Sequence, residues 1–197
     1  MLFVIALMAF LFPLAYSPGP GNMFFVALGA RFGTVATLSA NAGYHIATLV
    51  VTGLLGLGLV SAVHPGTSLF VGLTLAGSVY VMWLAWKLAT SGSTGAGMES
   101  GKAGFLDGVW LLLLNPKAYV IILLMYSQFG AMGPADLLAR VGVISLVFTL
   151  NNLLAFLLWT VAGDGLGRLF RSEAHARRLN LFFAAILAGV GFWMMLG

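Results

Sequence analysis

Two long apolar stretches of the chain are each interrupted near their middle by a short polar segment that contains proline. The first is Ser-Pro-Gly-Pro-Gly-Asn at residues 17–22, and the second is Asn-Pro-Lys at residues 115–117. Proline lacks a backbone N–H and disrupts helix interiors, so each segment predicts a broken helix. A bilayer tolerates such a break only where the freed backbone groups are buried in protein or line a cavity. The two breaks therefore indicate a site.

The composition places the chain in a membrane. It is 61% hydrophobic and 7% charged, whereas about 25% charged residues is usual for soluble domains. Long windows without Asp, Glu, Lys or Arg, such as residues 32–86 and 141–163, can hold helices of about 20 residues, the length that crosses a bilayer. These windows leave no room for a soluble catalytic domain, so we expect one transmembrane domain over residues 1–197.

We expect an all-α bundle of six transmembrane helices, with helices 1 and 4 broken at the proline motifs. The Ser/Gly-rich segment at residues 91–104 predicts a flexible linker between residues 1–90 and 105–197. Each half has three spans, so the second half enters the membrane from the opposite side, and the repeats are inverted. Corresponding broken helices in two such halves are the sequence pointer to a secondary transporter. The predicted spans are residues 2–29, 34–63, 68–90, 105–132, 137–163 and 179–197.

The basic residues predict the orientation. Cytoplasmic loops carry an excess of Lys and Arg. With the first loop in the cytoplasm, Arg140 lies outside and Lys117 lies within the membrane. Both termini are then external, and all the other basic residues are cytoplasmic, namely Arg31, Lys87, Lys102, Arg168, Arg171, Arg177 and Arg178.

The breaks and the polar residues of spans two and five predict a binding site for a small zwitterion. A helix N-terminus attracts anionic groups, and a C-terminal end offers carbonyls to cations. The alternative is a pair of simple kinks, since proline and glycine are common in membrane helices. The candidate substrate-binding residues are Ser17, Pro18, Gly19, Pro20, Gly21, Asn22, Asn41, Tyr44, His45, Asn115, Pro116, Lys117, Asn151 and Asn152.

Two of these candidates carry charge or can acquire it. Lys117 is costly at membrane depth, so it either acts on substrate or caps the carbonyls of the broken helix. His45 is the mid-span group that titrates near neutral pH, which makes it a candidate proton carrier, with a neutral packing histidine as the alternative. The asparagines of spans two and five are also suited to hydrogen bonds between helices.

Other function classes have weaker support. The chain has no cysteine, and we expect no metal and no cofactor. The basic residues follow the orientation rule, so we also expect no nucleic-acid partner. A Ser17–His45 dyad is the single route to an intramembrane hydrolase and lacks an orienting third member, so we expect no enzyme. A channel is the main alternative to a transporter. The expected partners are membrane lipid and a small-molecule substrate, and a homo-oligomer is compatible with the sequence.

Several short motifs follow one another along the chain, namely Ser-Pro-Gly-Pro at 17–20, Ala-Arg-Phe-Gly at 30–33, Gly77-x-x-Tyr80, Leu-Ala-Trp-Lys at 84–87, Phe105-x-x-Gly108, Leu-Asn-Pro-Lys-Ala at 114–118 and Arg-Leu-Asn at 178–180. With these motifs the chain resembles the LysE/RhtB family of amino-acid exporters over nearly its whole length. One departure is Gly21, because the position after Pro-Gly-Pro is commonly Asn or Asp in that family, and here Asn22 follows one place later. The resemblance implies a six-span antiporter of the bacterial inner membrane that exports amino acids or related metabolites, with proton coupling.

Overall fold

The described part of the chain is almost entirely helical. The computed structural model describes residues 2–58, 67–90, 103–130, 137–169 and 173–196, and these residues contain no strand. The all-α prediction is confirmed for them. The sequence His-Pro-Gly at residues 64–66 also predicts a tight turn, and this turn and most of the linker, residues 91–102, lie outside the described residues. The elements are α1 Leu2–Tyr16, α2 Pro20–Phe32, a 3₁₀ turn Val35–Thr37, α3 Leu38–Gly56, α4 Ser68–Thr90, α5 Phe105–Leu113, α6 Pro116–Phe129, α7 Leu137–Leu169 and α8 Glu173–Leu196.

Several helices are long and apolar enough to cross a membrane. Three helical segments have the required length and apolar composition on their own, namely Val35–Gly56, Ser68–Lys87 and Leu137–Leu169. The pairs α1–α2 and α5–α6 each pass the same test as a unit, and they bend by 63° and 62° at their breaks. The described residues therefore contain three to five candidate spans, and Asn180–Leu196 is a shorter apolar helix.

Helix α7 continues beyond its predicted end at residue 163. Asp164 and Arg168 are one turn apart, and Arg168 Nε donates to Asp164 Oδ1 at 2.8 Å. Ion pairs between residues four apart stabilise the part of a helix that lies outside the apolar environment. Asp164 also accepts hydrogen bonds from the N–H and the hydroxyl of Thr34, at 3.1 and 2.8 Å. The charged end of α7 is thereby joined to the turn that follows α2.

The two faces of α7 show which side meets lipid. Leucines are about half exposed along one face, whereas asparagine and hydroxyl side chains are buried on the other. This is the reverse of a helix in a soluble protein, where the apolar stripe faces the core. The pattern fits a bundle with lipid outside and a polar centre. The exposed residues are Leu146, Leu150, Leu154 and Leu158, and the buried ones are Ser145, Asn151, Asn152 and Thr160.

Close helix crossings bring the breaks against this centre. A Cβ atom added at Gly43 of α3 would collide with Phe105 O of α5, and one at Gly29 of α2 would collide with Thr160 O of α7. Glycine is required at both positions because the backbones touch. The crossings place α5 beside the polar face of α3, and α2 beside the polar face of α7.

Candidate functional site

The first break separates Tyr16, the last residue of α1, from Pro20, the first residue of α2. A helix end leaves carbonyls without intrahelical partners. Here side chains supply the donors, and one of them comes from the second break. The bonds are Ser17 Oγ to Leu14 O at 3.0 Å, Asn22 Nδ2 to Ala15 O at 3.1 Å, Trp159 Nε1 to Tyr16 O at 3.2 Å and Lys117 Nζ to Ser17 O at 2.7 Å.

Lys117 connects the two breaks. Its ammonium donates to Ser17 O at 2.7 Å, to Ser17 Oγ at 3.0 Å and to Pro18 O at 3.4 Å. An ammonium has three N–H donors, so all of them are directed at the end of α1. Of the two roles predicted for Lys117, the structure therefore displays the cap on the broken helix.

The second helix of each pair begins in the same way. Pro20 and Pro116 occupy the first turns of α2 and α6, where the missing N–H removes no helical bond. The preceding residues, Gly19 and Asn115, are extended, as expected before proline. Two helix N-termini, with their positive dipole ends, therefore begin inside the protein.

An aromatic and amide cluster lies beside these N-termini. Asn115 Nδ2 donates to the hydroxyl of Tyr44 at 2.9 Å, and both residues are buried. The ring of Tyr44 packs on Phe156 with centroids 4.6 Å apart, and the ring of His45 lies 5.2 Å from each of these two rings. The cluster fixes the Tyr44 hydroxyl at the start of α6.

His45 has a hydrogen-bond partner at each ring nitrogen. Its Nδ1 lies 2.8 Å from Asn41 O, and its Nε2 lies 3.4 Å from Asn152 Nδ2. A carbonyl oxygen only accepts, so Nδ1 carries the hydrogen and Nε2 accepts from the amide. The arrangement fits a neutral imidazole that links α3 to α7. Ser17 bonds to Leu14 and Lys117, so the Ser17–His45 dyad is not formed.

A small cavity of about 10 Å³ lies among these side chains, which is about the smallest space that holds one water. The buried Asn115 Oδ1 and Asn41 Oδ1 have no hydrogen-bond partner among the described residues, although buried polar atoms normally have one. The cavity is lined by Leu14, Ala15, Asn22, Tyr44, Leu112, Asn115, Lys117, Ala118, Ile121, Phe148, Asn152 and Phe156.

Comparison with known proteins decides the family. The sequence profile of the LysE type translocator matches residues 12–197. The chain belongs to this family. The cysteine/O-acetylserine efflux proteins of Escherichia coli (strain K12) and Shigella sonnei (strain Ss046) are each 28% identical to it over 174 residues, 88% of this chain and 87% of the relative. No solved structure matches the chain. The chain is therefore a multi-pass membrane protein of a transporter family.

The structure of this LysE type translocator gathers most of the predicted site residues. Those that line the cavity are Asn22, Tyr44, Asn115, Lys117 and Asn152. The others are adjacent or bonded to these. Ser17 and Pro18 bind Lys117, Gly19 lies beneath its side chain, Gly21 faces Phe156, Asn41 and His45 are hydrogen-bonded to each other, and Pro20 and Pro116 start the helices. Asn151 is buried on α7 but does not line the cavity.

Three aromatic residues of the site were not predicted. Phe148 and Phe156 line the cavity, and Trp159 caps Tyr16 O. All three lie on α7, within a long apolar segment where aromatic side chains are unexceptional. The one available signal was their spacing from Asn152. Phe148 and Phe156 are four residues from it and Trp159 is seven, and residues at these spacings share a helix face.

Proposed function

We propose that the chain is a secondary active exporter of small neutral amino acids or related zwitterionic metabolites, coupled to protons, in the bacterial inner membrane. One observation carries the proposal: two helices begin with proline inside the membrane domain, beside the buried amide of Asn115, the buried phenol of Tyr44 and the half-buried ammonium of Lys117. Broken helices around a midplane site are the architecture of secondary transporters. The efflux activity in the names of its relatives is consistent with it.

The architecture we propose has six spans in two inverted repeats, with both termini external. The bends of 63° and 62° at the two breaks support corresponding roles for α1–α2 and α5–α6. Helices α3 and α7 would then be equivalent, as would α4 and α8. Residues 1–90 and 105–197 form the repeats, joined by residues 91–104.

The site is proposed to take a neutral amino acid. The N-termini of α2 and α6 would attract the carboxylate, and Asn22, Asn115 and Asn152 supply amide groups. Among the described residues that line the cavity, none is acidic, so a cationic side chain would lack a counter-charge. The substrates for which the relatives are named, cysteine and O-acetylserine, belong to the neutral class.

His45 is proposed as the proton carrier. Protonation would turn Nε2 from an acceptor into a donor, so the amide of Asn152 would have to present its oxygen instead of its nitrogen. Asn152 also lines the cavity. A change in the charge of His45 would therefore alter a group that the substrate meets.

The proposal is tested by measuring intracellular metabolites in bacteria with and without expression of the chain. We expect small neutral amino acids to fall inside the cell and rise in the medium. Dissipating the proton gradient should abolish accumulation outside the cell. A metabolite profile unchanged by expression would contradict the assigned function.

A further inference from the structure

We infer that the three oxygens at the end of α1, namely Ser17 O, Ser17 Oγ and Pro18 O, form a binding site for a primary ammonium group. Lys117 occupies it in this structure as an internal ligand. This oxygen cage is the place where the amine of the substrate binds after Lys117 has left. The inference rests on the proposed function and assigns the two ends of the zwitterion.

The geometry of the cage matches an ammonium. Three acceptors lie 2.7, 3.0 and 3.4 Å from Lys117 Nζ, one for each N–H donor. The hydroxyl of Ser17 donates to Leu14 O at 3.0 Å, so its lone pairs are left for the ammonium. The cage therefore consists of acceptors alone.

The electrostatics also favour a cation. The C-terminal end of a helix carries partial negative charge, and two other carbonyls at this end are already bonded to Asn22 and Trp159. Ser17 and Pro18 supply the acceptors that remain for a mobile ligand. A quaternary ammonium has no N–H and cannot make these bonds, so the cage selects primary amines.

The size of the cavity requires that something moves. About 10 Å³ is too small for an amino acid, and Lys117 is the long flexible side chain in the lining. Its stem passes over Gly19, where an added Cβ would lie 2.8 Å from Lys117 Cδ. When the ammonium of the substrate displaces Lys117, the freed lysine can pair with the carboxylate of the same substrate. Lys117 thus competes with one end of the zwitterion and then binds the other.

The test is binding of ethylammonium to purified protein in lipid nanodiscs, with tetramethylammonium as the control ligand. In Lys117→Met the cage is empty and the side-chain length is kept, so ethylammonium should bind at least tenfold more tightly than to wild type. Tetramethylammonium should bind neither to wild type nor to Lys117→Met. Lys87→Met, the same change beside Trp83, should behave as wild type. Equal affinity of wild type and Lys117→Met for ethylammonium would overturn the cage.

A second variant tests the place of the ammonium. Gly19→Ala puts a methyl group 3.0 Å from Nζ of Lys117, so it also crowds a ligand nitrogen at that place. Added to Lys117→Met, it should weaken the binding of ethylammonium, whereas Gly142→Ala, where an added Cβ meets nothing within 4 Å, should leave it unchanged. Equal affinity of Lys117→Met with and without Gly19→Ala would contradict binding at the cage. These assays need no transport, so a failed cage with intact export would leave the proposed function standing.

Discussion

Asn115, the residue that precedes α6, donates its side-chain amide to the hydroxyl of Tyr44 on α3 at 2.9 Å. This bond ties the second break to the polar face of α3 in the interior of the protein. The other polar side-chain atom of Asn115, Oδ1, is buried and has no hydrogen-bond partner in the part of the chain that the structure describes. The pair therefore positions one free acceptor beside the N-terminus of α6.

Removing the Tyr44 hydroxyl tests this relationship. Tyr44→Phe leaves the amide of Asn115 unpaired in a buried place, so we expect a stability loss of about 1–3 kcal/mol together with reduced export. The measurements are unfolding in detergent and export from cells. Tyr80→Phe is the control, since the buried hydroxyl of Tyr80 has no partner in the described structure. An equal free energy of unfolding in the two variants would show that the bond between Asn115 and Tyr44 does not stabilise the protein.

His45→Gln tests proton coupling. Glutamine keeps hydrogen-bonding capacity towards Asn41 and Asn152 but cannot take up a proton near neutral pH. We expect uphill export to be lost while downhill exchange of substrate continues. Both are measured in membrane vesicles with and without an imposed proton gradient. Uphill export at the wild-type rate in this variant would return His45 to a packing role.

Gly21 and Phe156 should limit the size of the substrate. A Cβ at Gly21 would lie 2.7 Å from Phe156 Cζ, so the ring occupies the space that glycine leaves open. We expect Gly21→Ala to reduce export, and Gly21→Ala with Phe156→Leu to restore it. Phe156→Leu alone should admit larger neutral amino acids. Additive losses in the double variant would show that the two positions are independent.

Reporter fusions test the orientation. The distribution of Lys and Arg predicts cytoplasmic reporters after Gly95 and after Arg171, and an external reporter after Pro65. Activity of a cytoplasmic reporter at Pro65 would reverse the orientation and remove the inverted-repeat proposal.

The positions of the breaks were predictable because their causes are local. Proline fixes its own backbone and removes a donor, so the ends of α1 and α5 follow from the residues at 17–20 and 115–116. The end of α7 was not predicted. The predicted span ended at residue 163, just before the charged Asp164, whereas the helix continues to Leu169 and pairs Asp164 with Arg168.

The partners at the site were less predictable because they are distant in sequence. Lys117 lies next to the second break but binds Ser17 at the first. Its position indicated a function without indicating that partner. Apart from their spacing from Asn152, Phe156 and Trp159 gave no signal, since their roles depend on where α7 crosses α1 and α2.

We propose that the paired breaks form the site of a carrier for small neutral amino acids. Counterflow in proteoliposomes tests it most directly, with labelled L-cysteine outside and unlabelled amino acid inside. We predict that internal cysteine or O-acetylserine accelerates uptake of the label severalfold and that internal lysine does not. Uptake independent of the internal amino acid would indicate a channel, and acceleration by lysine would contradict the assigned site.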